Sequence, residues 1–282
     1  VIIGGGPGGL PLALGLKKSG IEVALFEKST VRSDYVQGFR MRIQQKGLDS
    51  LQACLPPRLF EAFLATLGRS PDQSLLFDQH LRPPASIGDW TPSSGVRSHQ
   101  DKSVSRITLR QILLSDLDDI VTVGRTFTGY QINEDDTVTA RFDDGSSIDC
   151  DLLVGADGVA SRVRKQLLPH ATYIDTGARR LAGKMTLQRA EQLGVAAIFL
   201  SHNVGIKSTD GPRLGISSHH VDATSFQRFG LIGGGGPGHR DISGFHFNNV
   251  TSYIWWNIAY PNGVLGTDEE LATLDGQALL DI

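Results

Sequence analysis

The chain has 282 residues, and 27 Lys and Arg against 30 Asp and Glu give a formal net charge of −3. So near neutrality it carries no electrostatic footprint for a phosphate backbone or an anionic lipid surface, which argues against nucleic acid as a main partner. No apolar run reaches the roughly 18 residues of a membrane span, and no basic-then-apolar signal peptide is read at its start.

The first thirty residues carry the strongest pattern. Val1-Ile2-Ile3 reads as a strand running into Gly4-Gly5-Gly6-Pro7-Gly8-Gly9. Leu10, Leu12, Ala13, Leu14 and Leu16 then give an apolar helical face that breaks at Ser19-Gly20. A second strand, Ile21 to Phe26, ends at Glu27 and Lys28. Gly4, Gly6 and Gly9 fill the three glycine positions of G-x-G-x-x-G. The chemistry asks for glycine three times: to turn the chain, to let a pyrophosphate approach the backbone, and to pack helix on strand. Glu27 stands where an acid accepts hydrogen bonds from a dinucleotide ribose. Gly233, Gly235 and Gly238 match the same pattern, but no apolar-periodic helix follows them, so that copy is read as a loop.

Cys54 and Cys150 form neither a C-x-x-C nor a paired-ligand spacing, and the eight histidines offer no metal-binding pair. They read as two buried thiols in a reducing, cytoplasmic compartment, with no metal expected. Segment 60–100 lacks helix–strand alternation. Ser105-Arg106-Ile107 precedes Thr108 and Gln111, which have capping-box spacing, so a helix is expected with Arg106 just before it. Its apolar stripe is Leu109, Ile112, Leu113 and Leu117.

Short strands follow over Phe127 to Ile132 and Val138 to Phe142, then an Asp144-Gly145 turn and a strand over Ile148 to Val154. That strand ends in Gly155-Ala156-Asp157-Gly158, with a helix bearing Val159, Val163 and Leu167 beyond it. A strand ending in a glycine-flanked acid before a helix marks a second ligand-facing edge of an α/β sheet. Segment 176–282 again lacks alternation and is rich in aromatics, with one or two strands over Ser243 to Tyr260 and a helix over Glu269 to Leu280. His202, His219, His220, His239 and His246 read as surface or packing residues, and no catalytic side chain is nominated.

Together these pieces resemble the single-component, FAD-dependent aromatic hydroxylases of the salicylate and p-hydroxybenzoate type. Val1–Glu27 is similar to their FAD fingerprint, and Leu152 to Arg164 is similar to their Asp-Gly motif. Gln37 to Ile43 resembles the segment passing the flavin, and Arg106 with Leu109 and Arg110 resembles their flavin-proximal arginine segment. The resemblance implies that Gly4, Gly6, Pro7 and Gly9 admit the pyrophosphate and that Glu27, beside Lys28, holds the adenosine ribose. It assigns Gly38, Arg40, Arg106, Gly155, Asp157 and Gly158 to the rest of FAD. NAD(P)H would be a co-substrate served by the Asp-Gly motif.

The implied fold is α/β, a Rossmann-like FAD-binding domain with an interleaved, mostly antiparallel β-sheet substrate domain. Residues 1–59 and 101–175 would form the first, and residues 60–100 and 176–282 the second. The implied activity is monooxygenation by FAD, NAD(P)H and O2, through a flavin C4a-hydroperoxide, of a small aromatic or polyketide-like substrate. The family's Gly-Asp segment is not found, and the start at Val1 and the end at Ile282 read as those of a piece of a longer polypeptide. A truncated, non-catalytic flavin-fold protein is therefore one alternative. A flavin halogenase or reductase is another: Trp256 and Ile258 fit W-x-W-x-I-P, but Ile254 and Ala259 replace its first tryptophan and its proline.

Overall fold

A computed structural model describes residues 1–29, 40–69, 71, 74–83, 102–208, 211–221 and 252–274. In chain order the elements are β1 (Ile2–Ile3), α1 (Gly9–Lys18), β2 (Leu25–Glu27), β3 (Arg40–Ile43), α2 (Gln45–Cys54), α3 (Pro57–Ala65) and β4 (Ser74–Asp78). Next come β5 (Lys102–Ser105), α4 (Arg106–Leu114), β6 (Val121–Val123), β7 (Phe127–Ile132), β8 (Val138–Phe142), β9 (Ser147–Cys150), β10 (Val154–Gly155) and α5 (Arg162–Leu167). The last are β11 (Ala178–Thr186), α6 (Leu187–Gln192), α7 (Ala197–Ser201), β12 (Asn203–Lys207), β13 (Arg213–His219), β14 (Tyr253–Pro261) and α8 (Asp268–Ala272).

These elements fall into two compact units. One takes described residues within 1–68, 100–172 and 221–251, the other those within 69–99, 173–220 and 252–282. The first boundary lies beyond the expected residue 59 because α3 belongs to the first core: Leu59 and Phe63 are wholly buried there.

In the first unit a parallel sheet has the order β10-β1-β2-β6. Strand alternation splits its side chains between two cores. Ile2 and Leu25 join Leu10, Leu14, Leu51, Phe63 and Leu113 on the helical side. Ile3 and Phe26 join Phe127, Phe142 and Val163 on the other side, where β7-β8-β9 form an antiparallel meander. The rings of Phe26 and Phe142 lie 4.4 Å apart, centroid to centroid. β3 and β5 pair antiparallel beside these layers.

Four sequence expectations need correction. The single strand expected over 148–154 is two: β9 closes the meander and β10 joins the parallel sheet, with Asp151–Leu153 between them. The strand expected over 21–26 is formed only at Leu25–Glu27, where β1 and β6 supply partners. The helix expected from Val159 starts at Arg162, leaving Val159 exposed, because Ser161 provides the N-cap. Cys54 and Cys150 are free and half-buried rather than buried.

The second unit is a five-stranded sheet, β11-β14-β13-β12-β4, antiparallel except for the parallel β12–β4 pair. β11 and β14 pair over nine residues, from Ala178–Pro261 to Thr186–Tyr253. Helices α6 and α7 pack on this sheet. Beyond α8 the expected helix 269–280 passes outside the described residues, as does the part of the expected strand region before Ser252.

Candidate functional site

The site forms where three parallel strands end side by side. Chain order reverses direction at β1, with β2 on one side and β10 on the other, and ligands of open α/β sheets bind beyond the carboxyl ends at such a switch point. Three sequence-predicted groups therefore converge: the loop Gly4–Gly9 after β1, Glu27 at the end of β2, and Gly155–Gly158 at the end of β10.

The glycines of the loop do different work. Gly4 has φ +108°, and a Cβ there would lie 2.3 Å from the Ala156 carbonyl oxygen. A Cβ on Gly9 would lie 2.0 Å from the Gly4 oxygen. Both glycines are thus required by the protein's own packing. A Cβ on Gly6, by contrast, meets nothing within 4 Å. The N-terminus of α1 follows, with Gly8 at the N-cap, no side-chain cap and no acid in the first turn. Such an end presents unsatisfied N–H groups to an anion.

Glu27 is buried, and its carboxylate is fixed from two sides. The Gly5 N–H donates to Oε2 at 2.6 Å and the Ser29 N–H donates to Oε1 at 2.8 Å. Each oxygen retains acceptor capacity for a hydroxyl. Lys28 follows, exposed, beyond the strand end.

Asp157 is engaged by its own chain. The Ser161 hydroxyl donates to Oδ1 at 2.5 Å, and the Arg162 N–H donates to Oδ2 at 2.7 Å. The carboxylate therefore fastens the loop to the start of α5 and positions the backbone of Ala156–Gly158 against Gly4. Gly155 allows this close approach, since a Cβ there would lie 2.8 Å from Val163 Cβ. Gly158 has φ +76°, a left-handed turn that glycine adopts without cost.

A cleft opens between the glycine loop and α4, lined among others by Gly6, Pro7, Met41, Arg106, Leu109 and Arg110. Arg106 lies inside the first turn of α4, not before it. The N-cap is Ser105, whose hydroxyl oxygen accepts from the Thr108 N–H, and this replaces the expected Thr108–Gln111 box. The β3–β5 register sets Arg40 opposite Ser105, one residue from Arg106. Arg110, quoted beside Arg106 in the sequence resemblance but given no contact of its own, also lines this cleft. The signal for it was its helical i+4 spacing from Arg106, which puts both on one face. Gly38 and the second glycine pattern at 233–238 lie outside the described residues.

The arrangement can hold a diphosphate by backbone N–H groups and a guanidinium, and a ribose by a fixed carboxylate. Among the described residues no group of three or more His, Cys, Asp or Glu side chains could hold a metal ion. Among them, no helix is long and apolar enough to cross a membrane.

No family model matches the chain. Among curated proteins it is 33% identical over 194 residues to the dual O-methyltransferase/FAD-dependent monooxygenase elcB of Phaeosphaeria nodorum, covering 66% of this chain and 20% of that protein. It is 32% identical over 184 residues to the chloroplastic zeaxanthin epoxidase of Oryza sativa, covering 61% of this chain and 27% of that protein. The match thus spans between about a fifth and two fifths of the length of the curated relatives. Among solved structures, a protein of Photorhabdus luminescens assigned as an FAD-containing monooxygenase superposes with a TM-score of 0.73 at 27% identity, over 99% of this chain and 66% of that one.

Proposed function

Because the chain belongs to the FAD-dependent monooxygenases, we propose that its first unit holds the ADP half of FAD against the carboxyl edge of the parallel sheet. In this reading the protein inserts one oxygen atom of O2 into a small aromatic or polyketide-like substrate, with NAD(P)H as reductant.

One observation carries the reading. Gly4 and Gly9 are demanded by the fold, but among the described residues nothing lies within 4 Å of a Cβ built on Gly6. A glycine that the protein does not need for itself fits one reserved for a ligand's close approach.

The residues present fit the group. Gly6, Pro7 and the uncapped start of α1 face the diphosphate, and Arg106 supplies the matching positive charge from α4. Glu27 accepts from the adenosine ribose hydroxyls, its two oxygens already oriented by Gly5 and Ser29. Lys28 and Arg40 would add positive charge to these surroundings. Asp157, flanked by Gly155 and Gly158, is a positioning residue: it ties its loop to α5 so that backbone groups face the cofactor. When bound, the flavin supplies the redox chemistry that activates O2, and the protein's share is binding, orientation and exclusion of water.

The reading is tested by titrating FAD into the chain, with fluorescence quenching as readout, alongside Glu27→Ala. Losing a charge-assisted acceptor should raise the dissociation constant by about tenfold or more. An unchanged constant removes the ribose assignment.

A further inference from the structure

At one end of the five-stranded sheet a single row of residues crosses every strand: Arg180 on β11, Ala259 on β14, Arg213 on β13, Lys207 on β12 and Asp78 on β4. Each stands directly opposite the next, so all five share one face of the pleat. Three of the five are cations.

That placement is unfavourable for the sheet itself. Arg213 and Lys207 are immediate cross-strand neighbours, and like charges directly opposite one another destabilise a sheet. The acid at the end of the row is engaged elsewhere. Asp78 accepts from the Arg82 guanidinium at 3.0 Å, and from the N–H groups of His80 and Arg82 at 2.8 and 2.9 Å. Among the described residues, Arg180, Arg213 and Lys207 have no hydrogen-bond or ion-pair partner for their charged groups. Strands β11, β12, β13 and β14 contain no acid at all. Arg179, by contrast, stands on the opposite face and is paired with Asp175 at 2.9 Å.

The row also has relief. Arg180 and Arg213, both exposed, flank Ala259 from either side, two strand spacings or about 10 Å apart at the backbone, with only a methyl group between them. On the other side of Arg213 stands Lys207, half-buried. In the next row on this face, Ala182, Gly215 and Gly205 keep the floor low, and the Asn257 amide donates to the Gly215 carbonyl. Guanidinium forks match the oxygen geometry of phosphate, and two of them bracketing a slot beside an ammonium suit a ligand with more than one phosphate group. No large apolar side chain stands in the row, as a face that beds into a lipid surface would require.

We propose that Arg180, Arg213 and Lys207 form a binding site, made wholly of second-unit residues, for a soluble ligand carrying two or more phosphate groups. It does not rest on the cofactor reading, which places the FAD diphosphate at the glycine loop and Arg106.

The test titrates tripolyphosphate and orthophosphate into the 282-residue chain by calorimetry, with the melting temperature of every variant measured alongside. Tripolyphosphate should bind at least about tenfold more tightly than orthophosphate, because it engages several cations at once. Arg213→Met and Lys207→Met should each weaken that binding about tenfold or more. Without ligand, both variants should melt no lower than wild type, since each removes the like-charge pair. Arg179→Met, on the opposite face, and Arg106→Ala, at the glycine loop, should both retain the binding event that Arg213→Met loses. If Arg213→Met fails to fold, Lys207→Met carries the comparison. Tripolyphosphate bound no more tightly than orthophosphate, full-strength binding in a folded Arg213→Met or Lys207→Met, or binding abolished by Arg106→Ala alone overturns the proposal.

Discussion

Gly4 and Ala156 are packed so closely that no side chain fits between them: a Cβ on Gly4 would stand 2.3 Å from the Ala156 carbonyl oxygen. This contact locks the loop after β1 to the loop after β10 and so builds the mouth of the site. Gly4→Ala faces both that clash and φ +108°. It should cost about 3 kcal/mol or more, combining left-handed strain with backbone overpacking. Gly6→Ala, with open space around it, should change stability by no more than about 0.5 kcal/mol. Urea unfolding of the two variants measures the contrast, and equal losses would contradict the division of labour among the glycines.

Asp157 should behave as a structural anchor. Its carboxylate accepts from the Ser161 hydroxyl and the Arg162 N–H, so Asp157→Ala leaves the start of α5 unsupported. The expected loss is about 1–2 kcal/mol, in the range of helix N-cap deletions. Denaturant unfolding checks the stability, and FAD titration checks the accompanying loss of affinity. A variant as stable as wild type would show that the bonds to α5 contribute little.

Arg106 should behave in the opposite way. Its side chain is exposed at the cleft, so Arg106→Ala should leave stability within about 0.5 kcal/mol. Its FAD dissociation constant should rise about tenfold, with Arg106→Lys in between, because a lone ammonium replaces a two-pronged donor. Unaltered affinity would remove Arg106 from the diphosphate site.

Lys184 makes a pH-dependent prediction. Burial holds its ammonium below the ordinary lysine value of 10.5. Between that depressed value and 10.5 the unfolded chain binds more protons on this group than the folded one, so its contribution to stability rises with pH across the window. Below the window the full penalty for the buried charge is present. Lys184→Met should therefore raise the melting temperature at neutral pH, and the gain should shrink as pH approaches 10.5. Melting curves across that range test it, and a gain that grows with pH would contradict the assignment.

What the sequence revealed follows from how local each signal is. The run Val1–Glu27 is a strand, a glycine turn, a helix and an acid within one short segment, and the structure brings Gly4, Gly9 and Glu27 together as that pattern implies. Arg106 was legible as a cleft residue because the stripe Leu109–Leu113 fixes its helix, although the cap was misplaced by three residues, since Ser105 and Thr108 are both capable caps. The split of 148–154 into two strands was hidden because the partners that divide it, Val138–Arg141 and Ile2–Ile3, are far away in sequence. The nine-residue strand β11 went unread for a different reason. Arg179 and Gly183 interrupt the face on which Leu181 and Met185 stand, so the apolar period of the strand is legible at two positions only. The bonds of Asp157 to α5 are likewise invisible in spacing, because an acid before a helix can face either a ligand or its own chain.

The central claim is that the carboxyl edge of β10, β1 and β2 binds the ADP half of FAD. Competition between FAD and ADP on the wild-type chain and on Gly6→Ala, followed by flavin fluorescence, tests it most directly. The account predicts saturable FAD binding that ADP displaces, weakened about tenfold or more in Gly6→Ala at unchanged melting temperature. FAD binding that ADP leaves untouched, or that Gly6→Ala leaves at full strength, would contradict it.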